Sequence, residues 1–279
     1  MSYIVCDIGG TKTRVASSED LESFGEVIKF KTPRSAREGV KMISEAASSL
    51  QNSPIRSVAV GVRGFLSYDK SMIVHDTALS SWTEEPLADM LSDALDADVV
   101  LENDTALAGL GEAHYGAGIG YDIMVYHTVS TGVGGVKIED GVIDRSASGF
   151  EPGHQILDID KTILGVDVSP TLERLVSGSA VAERMGVQPY EIPQDDKIWD
   201  QLAFFLAHGI RNTVLYWSPD VIVLGGSMIV GDPRILLDDI VRHANEIIGD
   251  VTECPLILDA KLGDNGGLYG AMALLGQKV

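Results

Sequence analysis

The sequence predicts an α/β protein built from two lobes with largely covered sheets. Three observations carry that reading. Short β-rich apolar runs alternate with amphipathic helical stretches along the whole chain. Two Gly-rich strand–turn–strand segments, at 4–16 and 125–138, recur about 120 residues apart. The composition, 45% hydrophobic and 22% charged, is globular. At roughly 100–200 residues per domain, 279 residues make two domains or one large α/β unit.

The elements follow in order. Residues 3–8 (Tyr3-Ile4-Val5-Cys6-Asp7-Ile8) form a strand that enters a Gly-Gly turn and returns as a second strand. Ser35-Ala36-Arg37-Glu38 is a capping box, and Val40, Ile43, Ala47 and Leu50 continue it at helical spacing. A strand at 57–62 is followed by a helix marked by Leu87, Met90, Leu91, Ala94 and Leu95, then by a strand at 98–101. A helix carrying Leu107, Leu110, Glu112 and Ala113 ends in a loop at Gly116-Ala117-Gly118-Ile119-Gly120, and residues 122–129 are the next strand. The longest helix spans Ile198–Trp217, with Leu202, Phe205, Leu206, Ile210 and Val214 on one face, and Ser218-Pro219 stops it. Strands at 220–224 and 255–258 precede a last helix with Asp264 as its N-cap. Trp82 belongs either to a core or beside a cleft. The two Gly-rich hairpins are either a duplicated lobe with one phosphate-facing turn each, or two unrelated hairpins.

With 21 Lys+Arg against 41 Asp+Glu, the net charge is −20, a field that repels a nucleic-acid backbone. Any anionic ligand must then be held locally, by backbone N–H groups or a metal. Two cysteines, Cys6 and Cys254, rule out a disulfide framework and suit a reducing, cytoplasmic setting. No apolar run approaches the roughly 18 residues of a membrane span. The N-terminus has no basic region, so a signal peptide is not expected.

Four motifs could carry chemistry. In Asp7-Ile8-Gly9-Gly10-Thr11-Lys12-Thr13 the glycines let N–H groups converge on an anion, and the strand-end carboxylate can hold Mg²⁺ beside it; the alternative is a hairpin whose Asp caps its turn. Glu102-Asn103-Asp104 ends a strand where open α/β sheets bind ligands. There an Asp can accept a hydroxyl proton and an Asn can bond a polyol; alternatively, Asn103 or Asp104 is the N-cap of the helix that follows. Glu151-Pro152-Gly153-His154 and Glu173 could converge on sugar hydroxyls, or form an exposed turn and a solvated helix face. Gly225-Gly226, after an apolar strand, lets a flat base lie on backbone or makes a tight turn. The Gly-x-x-x-x-Gly-Lys-Ser/Thr loop is absent, as is a strand–Gly-x-Gly-x-x-Gly–helix unit.

Taken in order, these motifs resemble the ROK family of sugar kinases and sugar-responsive repressors, over essentially the whole chain. The resemblance also takes in Thr128 to Gly135, Leu172-Glu173 leading to Ser177-Gly178-Ser179, and Leu262-Gly263-Asp264 with Gly270-Ala271. It implies an actin-like (ribonuclease-H-like) two-lobed ATPase fold with ATP and sugar in an interlobe cleft. One lobe would be residues 1–105, with the helix 264–279 packed back on it, and the other 106–263. It implies transfer of the γ-phosphoryl of MgATP to a hexose hydroxyl, usually at C6, of glucose or an N-acetylhexosamine such as N-acetylmannosamine. By the same carry-over Asp104 is the base, and Gly64, Asn103, Glu151, His154 and Glu173 meet the sugar. Gly9, Gly10, Thr11, Lys12, Thr131, Gly132 and Gly134 line the triphosphate, with Asp7 on its Mg²⁺, and Gly225 and Gly226 flank the adenosine. A homodimer is the family expectation.

Three departures stand out. The cysteine-rich zinc loop common in the family is absent: residues 157–171 hold no cysteine, so no structural zinc is expected and packing must order the loop. Arg63 stands where the family usually has proline, and Ser130 replaces a glycine of the second hairpin. Against the kinase stand two other functions. A repressor of the same family would carry an N-terminal DNA-binding domain, whereas this sequence starts at the phosphate hairpin; a non-catalytic sugar sensor is opposed by the intact Asp7 and Asp104.

Overall fold

The computed structural model describes residues 1–51, 53–147 and 149–278. They divide into two compact units, one of Met1–His114, Arg145–Gly149 and Asp264–Val279, the other of Tyr115–Asp144 and Phe150–Gly263. The helix that starts at Asp104 therefore stays with the first unit almost to its end, where a division after residue 105 was expected.

The first unit is built on a sheet in which β1 (Ser2–Ile8), β2 (Lys12–Ser18) and β3 (Val27–Lys31) form an antiparallel meander. Helix α1 (Ala36–Leu50) follows, and Ser35 Oγ accepts the Glu38 N–H at 3.3 Å as its cap. Strand β4 (Ile55–Val62) runs parallel to β1. A short ribbon, β5 (Phe65–Leu66) with β6 (Ile73–His75), leads to α2 (Leu87–Leu95), β7 (Asp98–Asn103) and α3 (Asp104–Tyr115). The strand order is β3-β2-β1-β4-β7. The runs Tyr3–Cys6 of β1 and Val58–Val62 of β4 are apolar and buried because both faces of the sheet are covered there. Ile4, Cys6, Ile8, Val58, Val60 and Val62 pack with Val40, Ile43 and Ala47 of α1 and with Leu87 and Leu91 of α2. Trp82 is core: it is fully buried in this cluster and donates its indole N–H to Pro33 O at 3.1 Å. The C-terminal helix Gly266–Gly276 covers β1 and β4. A Cβ on Gly270 would fall 1.7 Å from Leu107 O, so this helix lies backbone to backbone on α3. Its N-cap is Asn265, which makes no side-chain cap bond; Asp264, the expected cap, pairs with Arg14 instead.

The second unit repeats the plan. Strands β8 (Ile123–Val129), β9 (Val133–Glu139) and β10 (Val142–Ile143) form a meander, and β11 (Val221–Gly225) and β12 (Leu256–Asp259) run parallel to β8 and β11 respectively, in the order β10-β9-β8-β11-β12. Both Gly-rich hairpins thus occupy the same place in the same five-strand order, which resolves their likeness as a duplicated architecture. Between β10 and β11 come α4 (Leu172–Val176), α5 (Gly178–Met185) and α6 (Ile198–Trp217), and after β11 come α7 (Ser227–Val230) and α8 (Leu237–Ile248). Leu202, Phe205, Leu206 and Ile210 of α6 pack with Ile240, Ala244 and Ile248 of α8 over Ile222 and Leu224. Cys6 and Cys254 are both free. Among the described residues, no helix is long and apolar enough to cross a membrane.

Candidate active site

In the first unit the register aligns Asp7 with Gly61 and Gly61 with Glu102, so β1, β4 and β7 end at one edge of the sheet. Asp7, the Gly9–Lys12 turn, Arg63-Gly64 and Asn103-Asp104 all emerge there, at the C-terminal edge that open α/β sheets use for ligands. The turn closes with Gly9 N–H on Lys12 O at 3.0 Å, and Thr32 braces it, its Oγ1 donating to Gly9 O at 2.7 Å and its N–H to Thr11 O at 3.0 Å. Among the described residues, the N–H groups of Gly10 and Thr11 have no acceptor. Two adjacent unpaired N–H donors on a braced Gly turn form an anion cradle.

Asp7 accepts Arg14 Nη1 at Oδ2, 3.0 Å, and Arg14 Nη2 reaches Asp264 at 3.3 Å. Burial raises the Asp7 pKa to about 7, the charge of Asp104 adds to the rise, and Arg14 opposes it. Asp7 Oδ1 has no partner among the described residues. One hard carboxylate oxygen beside unpaired N–H donors fits Mg²⁺, which takes one or two carboxylates and completes its shell with phosphate oxygens and water. The described residues hold no cluster of three or more metal-ligating side chains.

Asp104 opens α3. Its Oδ1 accepts the Thr105 N–H at 2.7 Å, which fixes the carboxylate, while Oδ2 has no partner among the described residues. Burial raises its pKa, against the pull of the Thr105 N–H and of the Arg63 charge. A fixed, half-buried carboxylate with one open oxygen and raised basicity is suited to accept a hydroxyl proton. Asn103 is the helix cap, its Oδ1 accepting the Ala106 N–H at 3.1 Å, and its Nδ2 donates to Gly64 O at 3.2 Å. The capping and polyol readings of this residue therefore share one amide, which keeps one N–H and one lone pair for a ligand. Gly64 has φ +104°, and a Cβ there would meet His75 O at 2.9 Å, so only glycine fits. Glu102 is turned to structure: Lys70 pairs with its Oε2 and its Oε1 accepts the Asn103 N–H.

The second unit presents the matching hairpin. Ser130 N–H bonds Gly132 O at 2.8 Å, and the N–H groups of Thr131 and Gly132 have no acceptor among the described residues. Glu173 in α4 accepts the Val133 N–H at Oε2, 2.9 Å, and so braces this turn; Oε1 has no partner among the described residues. The N-terminus of α5 adds Gly178 N–H to Ser130 O at 2.7 Å. Ser130 Oγ and Ser227 Oγ lie 3.0 Å apart, so the serine that replaces a glycine finds a hydroxyl partner. Gly134 is half-buried on β9, opposite Thr128. A Cβ on Gly225 would meet Tyr126 Oη at 2.3 Å, so packing within the unit already demands this glycine, while Gly226 is the left-handed N-cap of α7. Glu151 and His154 flank a 3₁₀ turn, both solvent-exposed, with Nε2 4.0 Å from Oε2. Their spacing is set by Gly153, where a Cβ would fall 2.2 Å from Val133 O.

The loop at 157–171 is ordered by more than apolar packing. Leu157 and Leu164 pack on the core. Between them the buried Asp158 carboxylate accepts Thr162 N–H at 3.0 Å, Ile163 N–H at 3.3 and 3.2 Å, and Leu164 N–H at 2.8 Å. The chain closes with Leu157 N–H on Pro170 O and Leu172 N–H on Gln155 O, and Thr171 caps α4. One carboxylate and three convergent N–H groups thus organise the segment that leads into Glu173.

Sequence reasoning missed Asp158, Arg14 and the pair Arg63–Asp76. Asp158 had a weak signal, an acid ahead of a short turn. Arg14 lies directly opposite Asp7 across the β1–β2 hairpin, so the register of that hairpin was its signal; Arg63 and Asp76 share no strand or helix that would pair them.

The fold is thus two meander-plus-parallel sheets of the same strand order, each carrying a Gly-rich hairpin with unpaired N–H groups. The ROK family model matches residues 3–278, and the chain belongs to that family. It is 27% identical to a glucokinase of Halalkalibacterium halodurans, covering 99% of this chain and 95% of the relative. Its structure is similar to that of a ROK hexokinase from Thermus thermophilus, with TM-score 0.83, 25% identity and coverage of 100% and 99% of the two chains. It is also similar to a ROK family glucokinase from Streptomyces griseus in complex with glucose and AMPPNP, with TM-score 0.82, 25% identity and coverage of 99% and 100%. The fold is the actin-like, two-lobed ATPase class.

Proposed function

We propose that this protein is an ATP-dependent sugar kinase that transfers the γ-phosphoryl of MgATP to a hexose hydroxyl, at C6, of glucose or an N-acetylhexosamine such as N-acetylmannosamine. The observation that carries this reading is the Asp104 carboxylate, fixed at one oxygen and open at the other, at the same sheet edge as the Gly10–Thr11 cradle and Asp7. The sugar kinases similar to this chain, one holding glucose with AMPPNP, support the substrate pair.

In this reading Asp104 takes the hydroxyl proton, and Asn103, Gly64, Glu151, His154 and Glu173 orient the sugar. The unpaired N–H groups of Gly10, Thr11, Thr131 and Gly132 hold the phosphates, with Gly9, Lys12 and Gly134 lining them and Gly225 and Gly226 beside the adenosine. Asp7 holds Mg²⁺, whose chemistry is to neutralise phosphate charge. Phosphoryl transfer asks mainly for positioning and charge neutralisation around a loose transition state, which braced turns and a fixed base provide. The two free cysteines suit a cytoplasmic enzyme, and a homodimer is expected by light scattering.

The test is ADP release across a panel of glucose, fructose, mannose and N-acetylhexosamines. Asp104→Ala should lose about 10²–10⁴-fold in kcat while calorimetry still detects sugar binding. Wild-type turnover retained in that variant would remove the base assignment, and sugar binding without any turnover would favour a sensor.

A further inference from the structure

The guanidinium of Arg63 is anchored at one end and open at the other. Its Nε donates to Asp76 Oδ2 at 2.9 Å, and Asp76, with 6% side-chain exposure, accepts the Leu79 N–H at its other oxygen, 2.6 Å. The Arg63 backbone N–H donates to Ile8 O at 3.1 Å, which ties the residue to the strand that feeds the phosphate turn. Among the described residues the two Nη groups have no acceptor, and the side chain is 38% exposed. Arg63 Cδ lies 3.6 Å and Nε 4.0 Å from the place a Cβ would take on Gly10. On its other flank its positive charge is felt by the Asp104 carboxylate.

A cation held this firmly, beside unpaired N–H donors and within electrostatic reach of the base, is more than a brace. Holding Asp76 uses one of the five N–H donors of the planar fork, and the four left over match two phosphoryl oxygens. Resting on the kinase reading above, we propose that Arg63 is a further catalytic residue, its Nη groups binding oxygens of the γ-phosphoryl group during transfer. In that step the bond from the sugar oxygen to the γ-phosphorus forms as the bond from the γ-phosphorus to the β,γ-bridging oxygen breaks. The hydroxyl proton goes to Asp104 and the electron pair leaves on ADP. Asp76 is the positioning residue that holds the fork.

The experiment compares wild type, Arg63→Lys and the double variant Arg63→Ala/Asp76→Asn, which avoids stranding a buried carboxylate. The double variant should lose about 10²–10³-fold in kcat, the range for a transition-state donor, with the sugar KM within about threefold. Arg63→Lys should fall between, and millimolar free guanidinium should restore part of kcat in the double variant and none in wild type. A double variant within threefold of wild-type kcat, or a loss that guanidinium does not relieve, overturns the proposal while leaving the kinase intact. A wild-type protein that phosphorylates no sugar overturns the kinase reading and this proposal together.

Discussion

Replacing Asp158 tests how the cysteine-free loop is held. Its carboxylate collects four N–H···O contacts of 2.8–3.3 Å from three consecutive amides while buried at 3% exposure. Asp158→Asn keeps size and one acceptor oxygen, but turns an NH₂ group toward N–H donors at the other position. Two contacts are lost, and two donors are left facing a donor. Hydrogen bonds to charged groups are worth about 1.5–3 kcal/mol each and do not add fully, so a cost of about 2–4 kcal/mol is expected. For a unit of this size that lowers Tm by roughly 5–12 °C. Because the loop ends at Thr171, which caps the helix bearing Glu173, the sugar KM should rise as well. Thermal melts and amide hydrogen exchange at Thr162, Ile163 and Leu164 measure the effect. Unchanged protection of those amides with Tm within 1 °C of wild type would refute the reasoning. A zinc chelator should leave the wild-type Tm unmoved, since the carboxylate does the organising.

Three further outcomes are expected. Asp7 has a folded pKa near 7 against 3.8 unfolded, so its ionisation opposes folding: the penalty is absent below pH 4, grows through the interval and is complete above pH 7. Three units correspond to about 4 kcal/mol, so Asp7→Asn should stabilise the ligand-free protein by about 2–4 kcal/mol at pH 8 and hardly at all at pH 4, while abolishing Mg²⁺-dependent turnover. Denaturant melts at the two pH values check this. Glu173→Gln keeps an acceptor for the Val133 N–H and should raise the sugar KM alone, whereas Glu173→Ala frees the second hairpin and should raise the KM of both substrates in initial-rate assays. Gly153→Ala forces a methyl to 2.2 Å from a backbone oxygen and should cost about 3 kcal/mol or more by displacing the turn, read as a lower denaturation midpoint.

Elements with strong internal patterning were legible in the sequence. Strand β1, α1 with its serine cap, α6 with its apolar face and the strand-end Asp104 are all local signals. Strand β3 was not, because its Val-Ile-Lys-Phe-Lys run lies at the sheet edge and is half exposed. Helix α8 buries Ile240, Ala244 and Ile248 in good period, yet opens at Leu236 with no side-chain cap, so nothing marks its start. Of the candidate site, the two Gly-rich turns and the place of Asp104 at a strand end were legible because each sits next to its own strand. Arg63 with Asp76 was not, since the β5–β6 ribbon folds between the two. Asp158 was not either, because convergence of three amides on one carboxylate is a property of loop geometry and leaves no spacing to read. Residues defined by neighbours along the chain could be found in advance; those defined by what the fold returns to them could not.

The net charge of −20 bears on nucleotide binding. MgATP is an anion, and a field of that sign repels it at long range, while the groups that would hold it act at about 3 Å. Arg14 is committed to Asp7 and Asp264, so the local positive potential falls to the turn N–H groups, Lys12 and Arg63. The two ranges respond differently to salt, because screening cuts interactions beyond about 10 Å at 0.1 M and leaves contact hydrogen bonds nearly intact. Raising KCl from about 10 to 150 mM should therefore lower the KM for MgATP severalfold, the reverse of a nucleotide site on a basic protein. The sugar KM should stay flat, because the sugar is uncharged. A KM for MgATP that climbs from the first addition of salt would mean that long-range attraction to cations, rather than contact hydrogen bonds from backbone donors and an anchored arginine, supplies the binding.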